Sequence, residues 1–364
     1  MTTVILVFLI GLTIAYANGA NDVAKGIATL VGSGMTNSRR AIAWGTFWTG
    51  IGGLAGAFFA GAMVKTFGKG LLAPGVRPTV ATAVAVICGA AFWIGIATRR
   101  GLPVSTTHAI VGSVVGVALL AFGPAGMNWS SLTAKIVLPL LLSPAVALLL
   151  TAIALRAANA IAPSTDCVCV RTAQPILATT ATLTAAMPVV HLSTCEANKE
   201  AAARGITFNH LHWLTSAAAS FSRGLNDAPK MVALVLGAVA VSGFSAVPPV
   251  LAFAVVTTGI LGGSWLAGRR VTDVLAFKVT RMDHREGLIA NLITATLVGP
   301  GAAFGWPMST THVASGAIFG LSAGAHKANW SLVGEMVLAW MVTLPGAAML
   351  AAATLLLLHA AGFQ

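Results

Sequence analysis

Charge is what this chain lacks. Asp, Glu, Lys and Arg make up 8% of its 364 residues, and only nine residues are acidic. A soluble protein of this length needs roughly three times that fraction to cover its surface. Cysteine is also sparse: Cys88 lies in an apolar run, and Cys167-x-Cys169 with the distant Cys195 has neither a disulfide framework nor the paired spacing of a zinc site. No Gly-x-Gly-x-x-Gly or Walker loop and no His-Glu-x-x-His helix is present. Those absences argue against an ATP-driven pump and against an enzyme, and no cofactor is called for. The net charge of +12 comes from 21 basic residues scattered between apolar runs. With no dense basic block or aromatic-interleaved stripe, there is no case for nucleic acid as a partner.

What the chain has is apolar sequence: 57% hydrophobic residues and a mean hydropathy of +0.88. That composition predicts an all-α integral membrane protein in a lipid bilayer. Runs long enough to cross hydrocarbon lie near 41–64, 79–97, 132–160, 246–268 and 331–358, with shorter ones near 2–18, 23–34, 104–122, 208–221, 228–243, 288–304 and 308–324. They are continuous rather than alternating, which excludes a transmembrane barrel. The 39 glycines suit close helix packing in lipid. Ala15-Tyr16-Ala17 resembles a cleavage site, but no Lys or Arg precedes the apolar stretch before it, so a cleaved leader is not expected. The expected location is a cell (inner or plasma) membrane, crossed many times.

The chain also repeats itself. Gly19-Ala20-Asn21-Asp22-Val23-Ala24-Lys25 aligns with Gly224-Leu225-Asn226-Asp227-Ala228-Pro229-Lys230. Pro103-Val104-Ser105-Thr106-Thr107-His108 aligns with Pro307-Met308-Ser309-Thr310-Thr311-His312, and Asn128-Trp129-Ser130 with Asn329-Trp330-Ser331. Ser105 follows Asp22 by 83 residues and Ser309 follows Asp227 by 82. The reading is a first transmembrane repeat over 1–162, a polar linker over 163–205 holding Asp166, Glu196 and Glu200, and a second repeat over 206–364. Arg39-Arg40 and Arg99-Arg100 have no basic counterparts near 244 and 303, whereas Lys278, Arg281 and Arg285 belong to the opposite-side loop. Inverted repeats would bring these charges to one side, the cytoplasmic one, although Lys65, Lys69 and Arg77 break the pattern.

An unpaired charge at bilayer depth costs at least ~2.5 kcal/mol, so Asp22 and Asp227 are expected to pair or to function. Gly and Asn favour breaks and caps, so both Asn-Asp motifs are predicted to interrupt membrane helices around a cavity. Ser105-Thr106-Thr107 and Ser309-Thr310-Thr311 each follow a proline and open an apolar run, placing hydroxyls and free N–H groups at helix N-termini, where anions bind. His108 and His312 are read as packing or capping groups more than as proton relays. Arg223, whose counterpart is Asn18, either attracts the anion or anchors an interface. The Asn-Trp-Ser strings are read as interface anchors rather than glycosylation sites.

With these residues in view, the chain resembles the PiT family of inorganic phosphate transporters, which also includes sulfate permeases. Gly19-Ala20-Asn21-Asp22 reproduces the signature of each family repeat and Gly224-Leu225-Asn226-Asp227 varies it by one residue. The resemblance covers nearly the whole chain apart from the linker. It implies inverted repeats with broken helices and re-entrant helical hairpins, working as an ion-coupled symporter. Inorganic phosphate, or alternatively sulfate, would be held by Asn21, Ser105, Thr106, Thr107, Asn226, Ser309, Thr310 and Thr311. Asp22 and Asp227 would serve the coupling cation, H⁺ or Na⁺, binding the metal directly only if it is Na⁺. One departure matters: many members have Asn where this chain has Lys25 and Lys230, three residues after each Asp and on its helical face. An internal Lys makes a Na⁺ site less necessary and favours proton coupling, or else helps hold a dianion. A passive anion channel and a membrane sensor are the readings from another class. A homodimer is compatible with such a fold, but the sequence presents no identifiable interface.

Overall fold

The computed structural model describes residues 2–161, 208–243, 247–280, 282–322 and 329–363. The expected linker, with Cys167, Cys169 and Cys195, lies outside the described residues, as does Arg281. In chain order the helices are α1 (Thr2–Asp22), α2 (Ala24–Gly32), α3 (Ser38–Phe59), α4 (Gly61–Lys69), α5 (Val80–Arg99), α6 (Thr106–Phe122), α7 (Trp129–Leu132) and α8 (Leu138–Ile161). They continue as α9 (Phe208–Val241), α10 (Pro249–Ala267), α11 (Arg269–Phe277), α12 (His284–Ala303), α13 (Thr310–Ser322) and α14 (Trp330–Ala360). Among the described residues there is no strand, only an isolated bridge between Leu72 and Met127.

Six spans are long and apolar enough to cross a bilayer, or seven if α3 and α4, bent by 80° about Ala60, count as one. Phe58, Leu141, Leu266 and Met341 are each more than 65% exposed, an apolar outer surface that suits hydrocarbon rather than water. The protein is therefore a multi-pass, all-helical membrane protein.

The order of elements before residue 161 recurs after residue 208, down to local chemistry. Thr79 and Thr82 form a capping box at α5, and Asp283 and Glu286 form one at α12. Ser105 and Ser309 accept from the backbone N–H of His108 and His312, both at 3.2 Å. Asn128 and Asn329 cap the next helices through the N–H groups of Ser131 and Leu332, so their conserved chemistry here is capping, beside half-exposed Trp129 and exposed Trp330. Leu71 O accepts from Asn128 N at 2.9 Å, and Val279 O from Asn329 N at 3.0 Å.

The helix break expected at the second Asn-Asp motif is not there, and the one expected at the first is reduced to a single turn residue. α9 runs unbroken through Asn226 and Asp227, and only Val23, a single turn residue, separates α1 from α2 within one span, Val4–Gly32. The break falls instead at Ala60. The physical reason is that the motif glycines serve packing. A Cβ on Gly19 would meet the Ile260 carbonyl, and one on Gly263 the Tyr16 carbonyl. Likewise Gly224 faces the Thr49 carbonyl and Gly52 the Phe221 carbonyl. Glycine's weak helix propensity, about 1 kcal/mol against Ala, is outweighed by backbone-to-backbone packing of α1 on α10 and of α9 on α3. These two crossings carry Asp22 and Asp227 into the centre of the bundle.

Candidate functional site

Asp22 and Asp227 are 1% and 2% exposed, and one amide reaches both: Asn18 Nδ2 donates to Asp22 Oδ2 at 3.2 Å and to Asp227 Oδ2 at 3.3 Å. The same Nδ2 lies 3.0 Å from Thr106 Oγ1. Thr106 and Thr310, one from each Ser-Thr-Thr triplet, donate to Asp22 Oδ2 at 3.4 and 3.2 Å. The two motif sets, far apart in sequence, thus share one buried centre.

Each lysine lies in a cage of three oxygens. Lys230 Nζ meets Asp227 Oδ1 at 3.2 Å, Thr107 Oγ1 at 2.8 Å and the Met308 carbonyl at 3.1 Å. Lys25 Nζ pairs with Asp22 Oδ1 and donates to Asn21 Oδ1 at 2.9 Å and to the Val104 carbonyl at 3.3 Å. Val104 and Met308 hold the same place in their motifs, the residue between Pro and Ser, so the two cages share the Asp and carbonyl positions and differ in the third oxygen, Asn21 Oδ1 for Lys25 and Thr107 Oγ1 for Lys230. The triplets cross over between halves: Thr311 Oγ1 donates to the Val104 carbonyl at 2.7 Å, Thr107 Oγ1 to the Met308 carbonyl at 3.5 Å, and Ser309 Oγ to Ser105 Oγ at 2.9 Å. Asn21 bridges Thr98 Oγ1 and the Leu102 carbonyl and accepts from Val104 N, while Asn226 Nδ2 reaches the Met308 carbonyl and Asp227.

All twelve candidate site residues are therefore buried, ten of them in one connected hydrogen-bond network, with Ser105 and Ser309 bonded to each other and to their own helix ends. The expected free N–H groups at the triplets are partly taken, since Ser105 and Ser309 cap their own helices. His108 and His312 pack with ring centroids 4.6 Å apart and planes tilted by 45°, and His312 lies 4.2 Å from Trp340, whose Nε1 donates to the Pro103 carbonyl. This is a packed aromatic column behind the triplets. Asn18, Thr98 and the Val104 and Met308 carbonyls escape a motif reading. Asn18 was detectable as the partner position of Arg223, whereas backbone acceptors carry no residue signature.

A 470 Å³ cavity opens along one side of this centre, beginning one helical turn beyond Lys230. Ala233, Leu234 and Gly237 of α9, Val114 and Val117 of α6, and Thr82 and Val86 of α5 line it. At the corresponding place in the other half there is packing: Ala28, Val31, Ala276, Val279, Met282, Ile318 and Leu321 are buried in one apolar cluster. A Cβ on Gly32 would lie 2.6 Å from the Ala276 carbonyl, while one on its counterpart Gly237 meets nothing within 4 Å.

Apolar spans enclosing a buried polar centre with ion-paired charges, with a cavity one helical turn away, define a multi-pass membrane protein of the transporter class. The chain belongs to the phosphate transporter family, whose model matches residues 18–351. It is 26% identical over 98% of its length to the "Probable low-affinity inorganic phosphate transporter" of Mycobacterium bovis, covering 78% of that protein. It is 29% identical to the "Putative phosphate permease" of Pyrococcus furiosus, covering 95% of this chain and 94% of that one. A solved structure titled "The sodium-dependent phosphate transporter" shares the fold, with a TM-score of 0.81, 24% identity, and coverage of 99% of this chain and 100% of that chain.

Proposed function

We propose that this chain is a symporter that carries inorganic phosphate with a coupling cation by alternating access. The observation that carries the reading is the reciprocity of the buried centre. Each half supplies an Asp–Lys pair and a Ser-Thr-Thr turn, and the turn of one half bonds the carbonyl that cages the lysine of the other. Asn21, Asn226 and the hydroxyls of Ser105, Thr106, Thr107, Ser309, Thr310 and Thr311 are the substrate ligands in this reading. Asp22 and Asp227 are the coupling groups, tuned by Lys25 and Lys230.

The two repeats, 1–162 and 206–364 with 163–205 between them, are read as inverted, and α5–α6 and α12–α13 as re-entrant hairpins. Support comes from reciprocal contacts. Gly101, in the α5–α6 turn, lies beside Arg270 of α11, and Gly305, in the α12–α13 turn, lies beside Ala62 of α4. Ser38 bonds Asp273 of α11 at 2.9 Å, which draws the exposed Arg39, Arg40, Arg99 and Arg100 towards the basic end of α11, as one cytoplasmic surface requires. Alternating access is supported by the asymmetry of cavity and cluster: one half is open where the other is packed, and exchanging the two would move the centre from one side to the other.

For the coupling ion, the reading favours H⁺. Each lysine ammonium already fills the oxygen cage a hard cation would take, and protonating an aspartate would release its lysine. The sodium dependence in the structural relative's name belongs to that protein. Its fold is shared, which keeps Na⁺ as the second reading, and sulfate is the second substrate. The test is uptake of labelled phosphate and sulfate into proteoliposomes under imposed Na⁺ and pH gradients. Phosphate accumulation driven by a proton gradient without Na⁺ is expected. Downhill flux that no cation gradient can drive uphill would overturn symport in favour of a channel, and binding without flux would favour a sensor.

A further inference from the structure

The buried centre holds one charge too many. Asp22 and Asp227 are matched by Lys25 and Lys230, and a third base, Arg223, is 1% exposed beside them. Two acids against three bases leave one excess positive charge inside the membrane. Among the described residues Arg223 has little to hold it: Nη2 donates to Ser264 Oγ at 3.4 Å, while Nε and Nη1 have no partner. Its charge is felt by both aspartates, but it makes no ion pair with either. The repeat adds a contrast. At the equivalent position of the first half stands Asn18, whose amide nitrogen is fully used on Asp22, Asp227 and Thr106. The two halves thus place a neutral donor at one equivalent position and a guanidinium at the other.

A buried, unpaired charge is costly, and its removal from an otherwise finished structure tends to stabilise. Such a group persists where something else pairs with it during the working cycle. A guanidinium offers parallel N–H donors in a planar fork that fits two oxygens of an oxyanion, which an ammonium does not. We propose that Arg223 is the counter-charge of the transported anion, its free Nε–H and Nη1–H gripping two oxygens of a tetrahedral oxyanion. This inference rests on the symport reading above and deepens it. The aspartates repel the anion and the lysines are spent on the aspartates, so Arg223 carries the net attraction and the hydroxyls of the triplets complete the shell. A singly charged anion then neutralises the centre, and a doubly charged one does so when one proton accompanies it.

The test is calorimetric titration of the purified full-length protein with inorganic phosphate and with sulfate, for wild type, R223Q and R223K, alongside thermal unfolding of the empty proteins. R223Q is expected to bind phosphate roughly 10- to 100-fold more weakly, as loss of charge-assisted hydrogen bonds implies. R223K, which keeps the charge but loses the fork, should fall between. The unliganded R223Q protein should melt no lower than wild type, a result a merely structural arginine would not give. Wild-type binding that both variants retain in full overturns this inference and leaves the symport reading standing. Failure of wild type to bind either anion overturns both. If R223Q cannot be recovered folded, R223K decides: weaker binding supports the assignment and unchanged affinity overturns it.

Discussion

If the lysines stand in for a metal ion, replacing Lys230 by Asn should make the centre responsive to Na⁺. The ammonium is held by Asp227 Oδ1 at 3.2 Å, Thr107 Oγ1 at 2.8 Å and the Met308 carbonyl at 3.1 Å, and the site is wholly buried. Removing one partner of a buried ion pair costs about 3–5 kcal/mol, because the other charge is left uncompensated. Asp227 keeps the amides of Asn18 and Asn226, at 3.3 and 2.9 Å, so the lower end of that range applies in the absence of salt. The three vacated oxygens are hard donors. A Na⁺ ion that occupies them stabilises the folded state by about 2.7 kcal/mol at a hundred times its dissociation constant, offsetting most of the loss. The assay is thermal unfolding of K230N in NaCl and in choline chloride at equal ionic strength, with phosphate uptake measured in both salts. Wild type should be indifferent to the substitution of choline for Na⁺. K230N should melt lower in choline and recover in NaCl, and K25N should do the same through its own cage of Asp22, Asn21 and Val104. If both variants respond to the two salts as wild type does, in stability and in uptake, the lysines are not tethered substitutes for a metal ion.

Other outcomes follow from single contacts. Ser105→Ala and Ser309→Ala each remove a helix cap, costing about 1 kcal/mol. Because the two hydroxyls bond each other at 2.9 Å, the double variant should lose less than the sum in chemical denaturation, whereas strict additivity would deny the contact. Gly263→Ala drives a methyl into the Tyr16 carbonyl and should destabilise by about 1–3 kcal/mol. Gly237→Ala meets open space and should stabilise by about 0.5–1 kcal/mol, a contrast measurable by thermal unfolding. Gly237→Trp fills the cavity along α6 and α9, so uptake should cease while phosphate still binds in detergent. Wild-type uptake rates in that variant would show that the cavity is not on the transport route.

The bilayer setting follows from composition alone, since the transfer energetics of so apolar a chain leave no soluble alternative. The paired Asn-Asp and Ser-Thr-Thr strings likewise mark their own importance, because hydrocarbon penalises polar groups that lack partners. Helix continuity was not legible in the same way. Gly19 and Gly224 read as breaks when weighed by local propensity, and they turn out to be close-packing points whose partners, Ile260 and Thr49, belong to distant segments. The 80° bend at Ala60 has no comparable mark in the sequence. In the same way, the lysines' place beside the aspartates is local, at i and i+3, and could be read directly. Their other cage oxygens are backbone carbonyls of Val104 and Met308, which only folding brings near. Sequence by itself determined the membrane, the duplication and the polar residues that matter. Tertiary structure alone decided which of them meet, that one half is open while the other is packed, and that Arg223 stands without a counter-ion among the described residues, because each of these depends on through-space distances between segments that the chain order does not encode.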